Sequence, residues 1–219
     1  MTGATEKSVA TSKLRRIQKF STKELALISV LSSLWIVSEV YLGPVIGQLT
    51  QVHGVVQRFF GWFLMLVLAW LTGRFGRVTA MASIASFATR IIRPGQVYSL
   101  FVGFGYALGG LTFDLLFFVP KAKGFGGNTA KVYLLSMSAV SAAVASIPYL
   151  LFKLWTLGYL GFMFWVPLYS YEIARSTVLS VLGTLTGISI APKIEIWAPK
   201  IMENNGPIPR ISGSRENET

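Results

Sequence analysis

The chain contains no cysteine and a single histidine among 219 residues, and only nine residues are acidic. Without cysteine there is no disulfide and no thiolate metal site, and one histidine leaves little from which to build a zinc centre. A Gly-rich phosphate loop ending in Lys-Ser/Thr is also missing, so the sequence predicts no ATP hydrolysis by this chain itself. Neither a Ser/His/Asp order at usable depth nor the acid cluster of a metal-dependent phosphotransferase is found. The expectation is therefore neither an enzyme nor a cofactor protein. Charge of both signs is scarce too, at 13% of residues against about 25% in a soluble domain.

What replaces charge is apolar residue content, 53% of the chain, with a mean hydropathy of +0.57. This is the composition of a membrane protein. A bilayer core of about 30 Å needs roughly 20 apolar residues per helix, and six runs qualify. They lie near 24–42, 54–72, 77–92, 97–119, 130–155 with Pro148 inside, and 164–190. The expected fold is all-α, a polytopic bundle of six transmembrane helices, with four spans plus re-entrant pieces as the structural alternative. "STKE" supplies a capping box from Ser21 to Glu24 at the start of the first run. No internal repeat is apparent.

The basic residues orient this bundle. Fifteen of the 20 Lys and Arg fall in residues 1–23, in the loops 73–77 and 120–131, and in the C-terminal tail. The opposite loops, 43–54, 93–96 and 157–162, hold only Arg93, and Arg58, Arg90, Lys153 and Arg175 lie in or at the ends of spans. By the positive-inside rule both termini are cytoplasmic. Residues 1–23 lack the apolar core and small-residue cleavage site of a signal peptide and read as a basic cytoplasmic tail. Residues 24–190 form the transmembrane domain, and 191–219, rich in Pro, Gly and Asn, a flexible cytoplasmic tail. A net charge of +11 could suggest nucleic acid, but no soluble basic module with interleaved aromatics is present. Topology and attraction to anionic lipid are the simpler reading.

Acids inside the spans are few: Glu39, Asp114 and Glu172. A charge at the centre of a lipid-embedded helix costs about 2.5–3.5 kcal/mol, so such groups face a bundle interior, a partner or a wet cavity. Depth along each helix puts Glu39, Glu172, Arg58 and Arg90 near one outer level, whereas Asp114 sits towards the inner end of its span as a packing acid. Around the outer level lie Trp35, His53, Gln57, Gln96, Tyr98, Trp165, Tyr169 and Tyr171. Rings with a few fixed polar groups suit a small heterocyclic ligand, while the competing reading of these rings is an interfacial belt and of His53 a solvated loop residue. Glu172 and Arg175 can pair at a spacing of three. They are expected to face inward, Glu172 towards the cavity and a guanidinium of Arg58 or Arg90, with a closed structural ion-pair network as the alternative. Gly103, Gly105, Gly109 and Gly110 present a smooth face for close helix approach, and Ala26, Ser29 and Ser33, with Val30 between, form a second small-residue stripe.

Three segments carry a family resemblance: "ELALISVLSSLWIVSEVYLGPVIGQL" (24–49), "GWFLMLVLAWLTGRFGR" (61–77) and "RIIRPGQVYSLFVGFGYALGG" (90–110). With six runs and no ATPase, the chain resembles the substrate-binding S component of energy-coupling factor (ECF) vitamin transporters. It looks most like the hydroxymethylpyrimidine/thiamine-precursor branch. The resemblance covers roughly residues 21–190 and lies in hydropathy and small residues rather than in a diagnostic motif. It implies a multi-pass protein of the cell membrane that captures a vitamin or precursor in an outward pocket. It also implies a transmembrane coupling subunit and two cytoplasmic ATPases as partners. Trp35, Glu39, Arg58, Gln96, Tyr98, Tyr169 and Glu172 become ligand contacts, and a cationic or aminopyrimidine ligand would use Glu39 and Glu172 as acceptors. The family's Ala-x-x-x-Ala docking pair falls on Ala26 and Val30, an imperfect match flanked by Ser29 and Ser33. Two other classes stand beside it: a stand-alone small secondary transporter or channel, for which an inverted repeat is missing, and a membrane-embedded enzyme or an assembly or scaffold subunit whose polar residues are structural.

Overall fold

The computed structural model describes residues 20–50, 54–94, 97–123 and 127–197. His53, Gln96, residues 1–19 of the basic tail and residues 198–219 of the C-terminal tail lie outside them. The described residues are helical with no strand. Helix α1 (Thr22–Val37) starts at the expected capping box, with the Ser21 N–H donating to Glu24 Oε2 at 2.9 Å. A π turn (Ser38–Leu42) and helix α2 (Gly43–Thr50) continue it. There follow α3 (Val55–Thr72), α4 (Arg77–Ile92), α5 (Tyr98–Lys123) and α6 (Gly127–Trp197).

Four stretches among the described residues are long and apolar enough to cross a membrane: Thr22–Thr50, Val55–Thr72, Tyr98–Phe118 and Asn128–Ile194. The chain is thus an all-helical protein of membrane character. Three details differ from the sequence reading. The outer loop expected at 43–54 is helical as far as Thr50, because its first residues remain apolar and helix-compatible after Pro44. The third run, α4, has 16 residues, short of a full bilayer crossing by itself. The last two runs join into one 71-residue helix, interrupted only at Gly158 (φ 68, ψ 174).

That single residue reverses the chain. The Tyr149 and Tyr169 rings meet at 6.3 Å, and Ser138 bonds Ser180 and Thr184. These pairs count back almost symmetrically from Gly158, so the two arms of α6 run antiparallel. A backbone at positive φ with ψ near 180° is open to glycine and closed to other residues.

Helix α3 is the central element, buried along most of its length. In lipid, helices associate by close packing and interhelical hydrogen bonds rather than by expelling water. The glycine face of α5 serves this purpose. A Cβ at Gly105 would collide with the Ala145 carbonyl of α6, and one at Gly109 would lie 2.9 Å from the Ala145 methyl. Ser141 Oγ donates to the Gly109 carbonyl at 2.7 Å. Gly110 faces α4 instead, against Ala82. At mid-height Trp35, Trp62 and Tyr106 form an aromatic cluster with centroids 5.6–5.7 Å apart.

Polar side chains gather at the two ends of the bundle. At one end Glu24 bridges Arg77 at 3.0 Å and Arg74 at 3.1 Å. There Asp114 Oδ2 accepts the Thr79 N–H at 2.8 Å and its hydroxyl at 2.6 Å. Asp114 thereby caps the N-terminus of α4, where free N–H groups favour a carboxylate, in keeping with its reading as a packing acid. The other end holds the cavity.

Candidate functional site

The cavity has a volume of about 560 Å³, and it exists because several helices bring polar groups to one level. Glu39 arrives on the π turn. Pro44 has no N–H to give the Val40 carbonyl, and Gly43 N–H instead reaches Ser38 O, five residues back. The Val40 carbonyl accepts Arg93 Nη1 at 3.4 Å. Widened turns of this kind recur at functional sites. Arg58 comes from the first turn of α3, Arg90 from the last turn of α4, Tyr98 from the start of α5, and Tyr149, Tyr169 and Glu172 from the two arms of α6 near their reversal.

Two ion-pair groups span these helices. Arg90 Nη1 meets Glu39 Oε1 at 2.6 Å, with both side chains nearly buried, 10% and 12% exposed. Arg90 Nε also donates to the Ser99 carbonyl at 3.2 Å. Glu172 is shared: Arg175 lies 2.5 Å from it and Arg58 3.7 Å. Arg58 Nη1 additionally donates to the Glu172 backbone carbonyl at 3.1 Å. The pairing of Glu172 with Arg175 therefore occurs, and it extends to a second helix through Arg58. Rings complete the wall. Tyr149 stands edge-on to both Tyr98 and Tyr169 at 6.3 Å, and Trp62 and Tyr106 close the floor. Arg93, Pro94 and Tyr98 on the rim are exposed, whereas Trp62 and Tyr106 are buried, so the cavity opens on the rim side and is closed at its floor.

Of the residues singled out as ligand contacts, Glu39, Arg58, Tyr98, Tyr169 and Glu172 line the cavity. Trp35 does not. It is fully buried behind the floor, edge-on to Tyr106 and against Gly61, where an added Cβ would lie 2.6 Å from the indole. Gln96 lies outside the described residues. Trp165 and Tyr171 are exposed on the outer surface of α6. The sequence reading overlooked Trp62, Tyr106, Tyr149, Ser146 and Ser176. Helical spacing could have found them: Tyr98, Val102 and Tyr106 share one face of α5, as do Tyr169, Ile173 and Ser176 on α6.

The remaining candidates, Ala26, Ser29, Val30 and Ser33, lie on the exposed face of α1. Among the described residues no group of three His, Asp or Glu could hold a metal ion. The arrangement offers hydrogen bonds, charge and ring faces for holding a small molecule. Against protein-family models, curated proteins and solved structures, the chain finds no match.

Proposed function

We propose that the chain is the integral membrane, substrate-binding subunit of an ECF-type transporter, capturing a small heterocyclic vitamin or precursor from outside the cell. Thiamine- and hydroxymethylpyrimidine-like compounds are the first candidates. The observation that carries this reading is the cavity itself. Its 560 Å³ falls within the range of about 300–1,000 Å³ usual for small-molecule sites, and its wall combines aromatic faces with groups that lipid would never tolerate unpaired.

In this reading the chain crosses the plasma membrane six times, counting α4 and each arm of α6, with both termini cytoplasmic. The distribution of Lys and Arg supports that orientation. Glu39, Arg58, Tyr98, Tyr169 and Glu172 hold the ligand. The exposed small-residue face of α1 meets a transmembrane coupling subunit, cytoplasmic ATPases drive uptake, and lipid covers the other outer faces.

The test is to purify the protein in detergent, identify any small molecule that accompanies it, and titrate it with thiamine, its pyrimidine precursor, riboflavin and biotin. One-to-one binding of a heterocycle is expected. A folded protein that carries no small molecule and binds none of these would overturn the proposal.

A further inference from the structure

The charges around the cavity do not balance. Its wall contains four guanidinium groups, on Arg58, Arg90, Arg93 and Arg175, and two carboxylates, on Glu39 and Glu172. Glu39 is taken by Arg90, and Glu172 is divided between Arg58 and Arg175. Among the described residues Arg93 meets only a backbone carbonyl, that of Val40, at 3.4 Å. Two positive charges are thus left over in the wall. A further ammonium, on Lys153, stands 5.6 Å from the Tyr98 and Tyr149 ring centroids. Glu24 and Asp114, the other carboxylates whose side chains are described, are at the far end of the bundle and cannot offset this excess.

A second observation points the same way. Among the described residues, the buried atoms of the cavity wall without a hydrogen-bond partner include Gln57 Nε2, Trp62 Nε1 and Glu39 Oε2. The first two are N–H donors, and the third is the acceptor oxygen of a carboxylate already paired with Arg90. A buried donor left unpaired is costly, and an acceptor-rich ligand would satisfy Gln57 and Trp62 together. The rings of Trp62, Tyr106 and Tyr149 supply the flat apolar surface that an aromatic body requires.

On the reading that this cavity is the ligand site, we infer that it takes a planar ring bearing an anionic group, a carboxylate or a phosphate, in preference to a cation such as thiamine or a neutral base such as its pyrimidine precursor, so that acidic heterocycles displace those first candidates. The acidic group lies among Arg58, Arg93 and Arg175, where bidentate guanidinium contacts favour carboxylate and phosphate geometry. The ring rests on the aromatic floor and accepts from the two orphan donors.

The experiment is calorimetric titration of the full chain in lipid nanodiscs. Indoleacetate, indoleacetamide and tryptamine present one ring with an anionic, a neutral and a cationic tail; phenyl phosphate beside phenol forms the phosphate arm. An acid is expected to bind about tenfold more tightly than its uncharged counterpart, with tryptamine weakest. The stronger of the two acids identifies which anion the site prefers. Glu172→Gln removes a competing carboxylate and should tighten binding of that acid severalfold, whereas a cation site would weaken. Arg93→Gln, at an exposed position with a single backbone contact, should weaken it severalfold without lowering the melting temperature. Amide or amine binding at least as tight as the acid, or looser acid binding by a folded Glu172→Gln, overturns the anion inference while leaving the cavity a ligand site. Failure of all five compounds to bind the folded protein removes both.

Discussion

Glu39 and Glu172 carry the same carboxylate into different surroundings, and their environments assign them different weights. Glu39 and Arg90 are each about nine-tenths buried, so removing one partner strands the other in a medium that solvates it poorly. Glu39→Ala should destabilise the protein by about 3–5 kcal/mol, read as a large fall in detergent melting temperature. The double replacement Glu39→Leu with Arg90→Met should recover most of that loss, because an apolar pair of similar size leaves no charge behind. Glu172 is 36% exposed at its side chain, and Glu172→Gln should shift the melt by no more than about 1 kcal/mol. Rarity made these residues legible in the sequence: an ion within an apolar run must face something other than lipid. Trp35 misled because its position along α1 could be read but its cover could not. It shares a face with Glu39 one turn away, yet Tyr106 and Gly61 from two other helices seal it off from the cavity.

Helices were easy to locate and their ends and breaks were not. Runs of about 20 apolar residues mark α3 and α5 plainly, and the Ser21–Glu24 box marks the start of α1. The π turn left no pattern, since its cause is one missing N–H at Pro44, and many helices carry proline without widening. The reversal in α6 was expected as a six-residue loop and needs one residue, because Gly158 alone adopts the required φ of 68° and ψ of 174°. Gly158→Ala should therefore cost about 1–3 kcal/mol, measured as a lower midpoint in thermal unfolding. Where α5 and α6 touch, Gly105→Ala would drive a methyl into the Ala145 carbonyl. Overpacking of this kind costs about 1–3 kcal/mol, with the same readout, and it should also widen the cavity mouth enough to weaken any ligand that binds there.

Topology is a property of the whole chain, and the lack of cysteine makes it simple to test. Pro94→Cys places a thiol on the cavity rim, and Thr219→Cys one at the end of the sequence. In intact cells a membrane-impermeant maleimide should label Pro94→Cys alone, and Thr219→Cys only after permeabilisation. The reverse pattern would invert the proposed orientation. Charge counting could reach this prediction because loops on the two sides differ so strongly in Lys and Arg. It could not foresee the depth of the cavity, which depends on how far helices from distant parts of the chain tilt together.

The aromatic cluster at mid-height bears on movement of solutes. Trp35, Trp62 and Tyr106, with Met65 and Phe113 also fully or nearly fully enclosed, separate the cavity from the Glu24–Arg77 end by a buried apolar layer. A molecule that descends past Arg93 meets a stopper of rings rather than a conduit. On the proposed reading of the chain as an uptake subunit, the helices must part around that stopper or the entire body must turn over within the lipid for cargo to emerge on the far side.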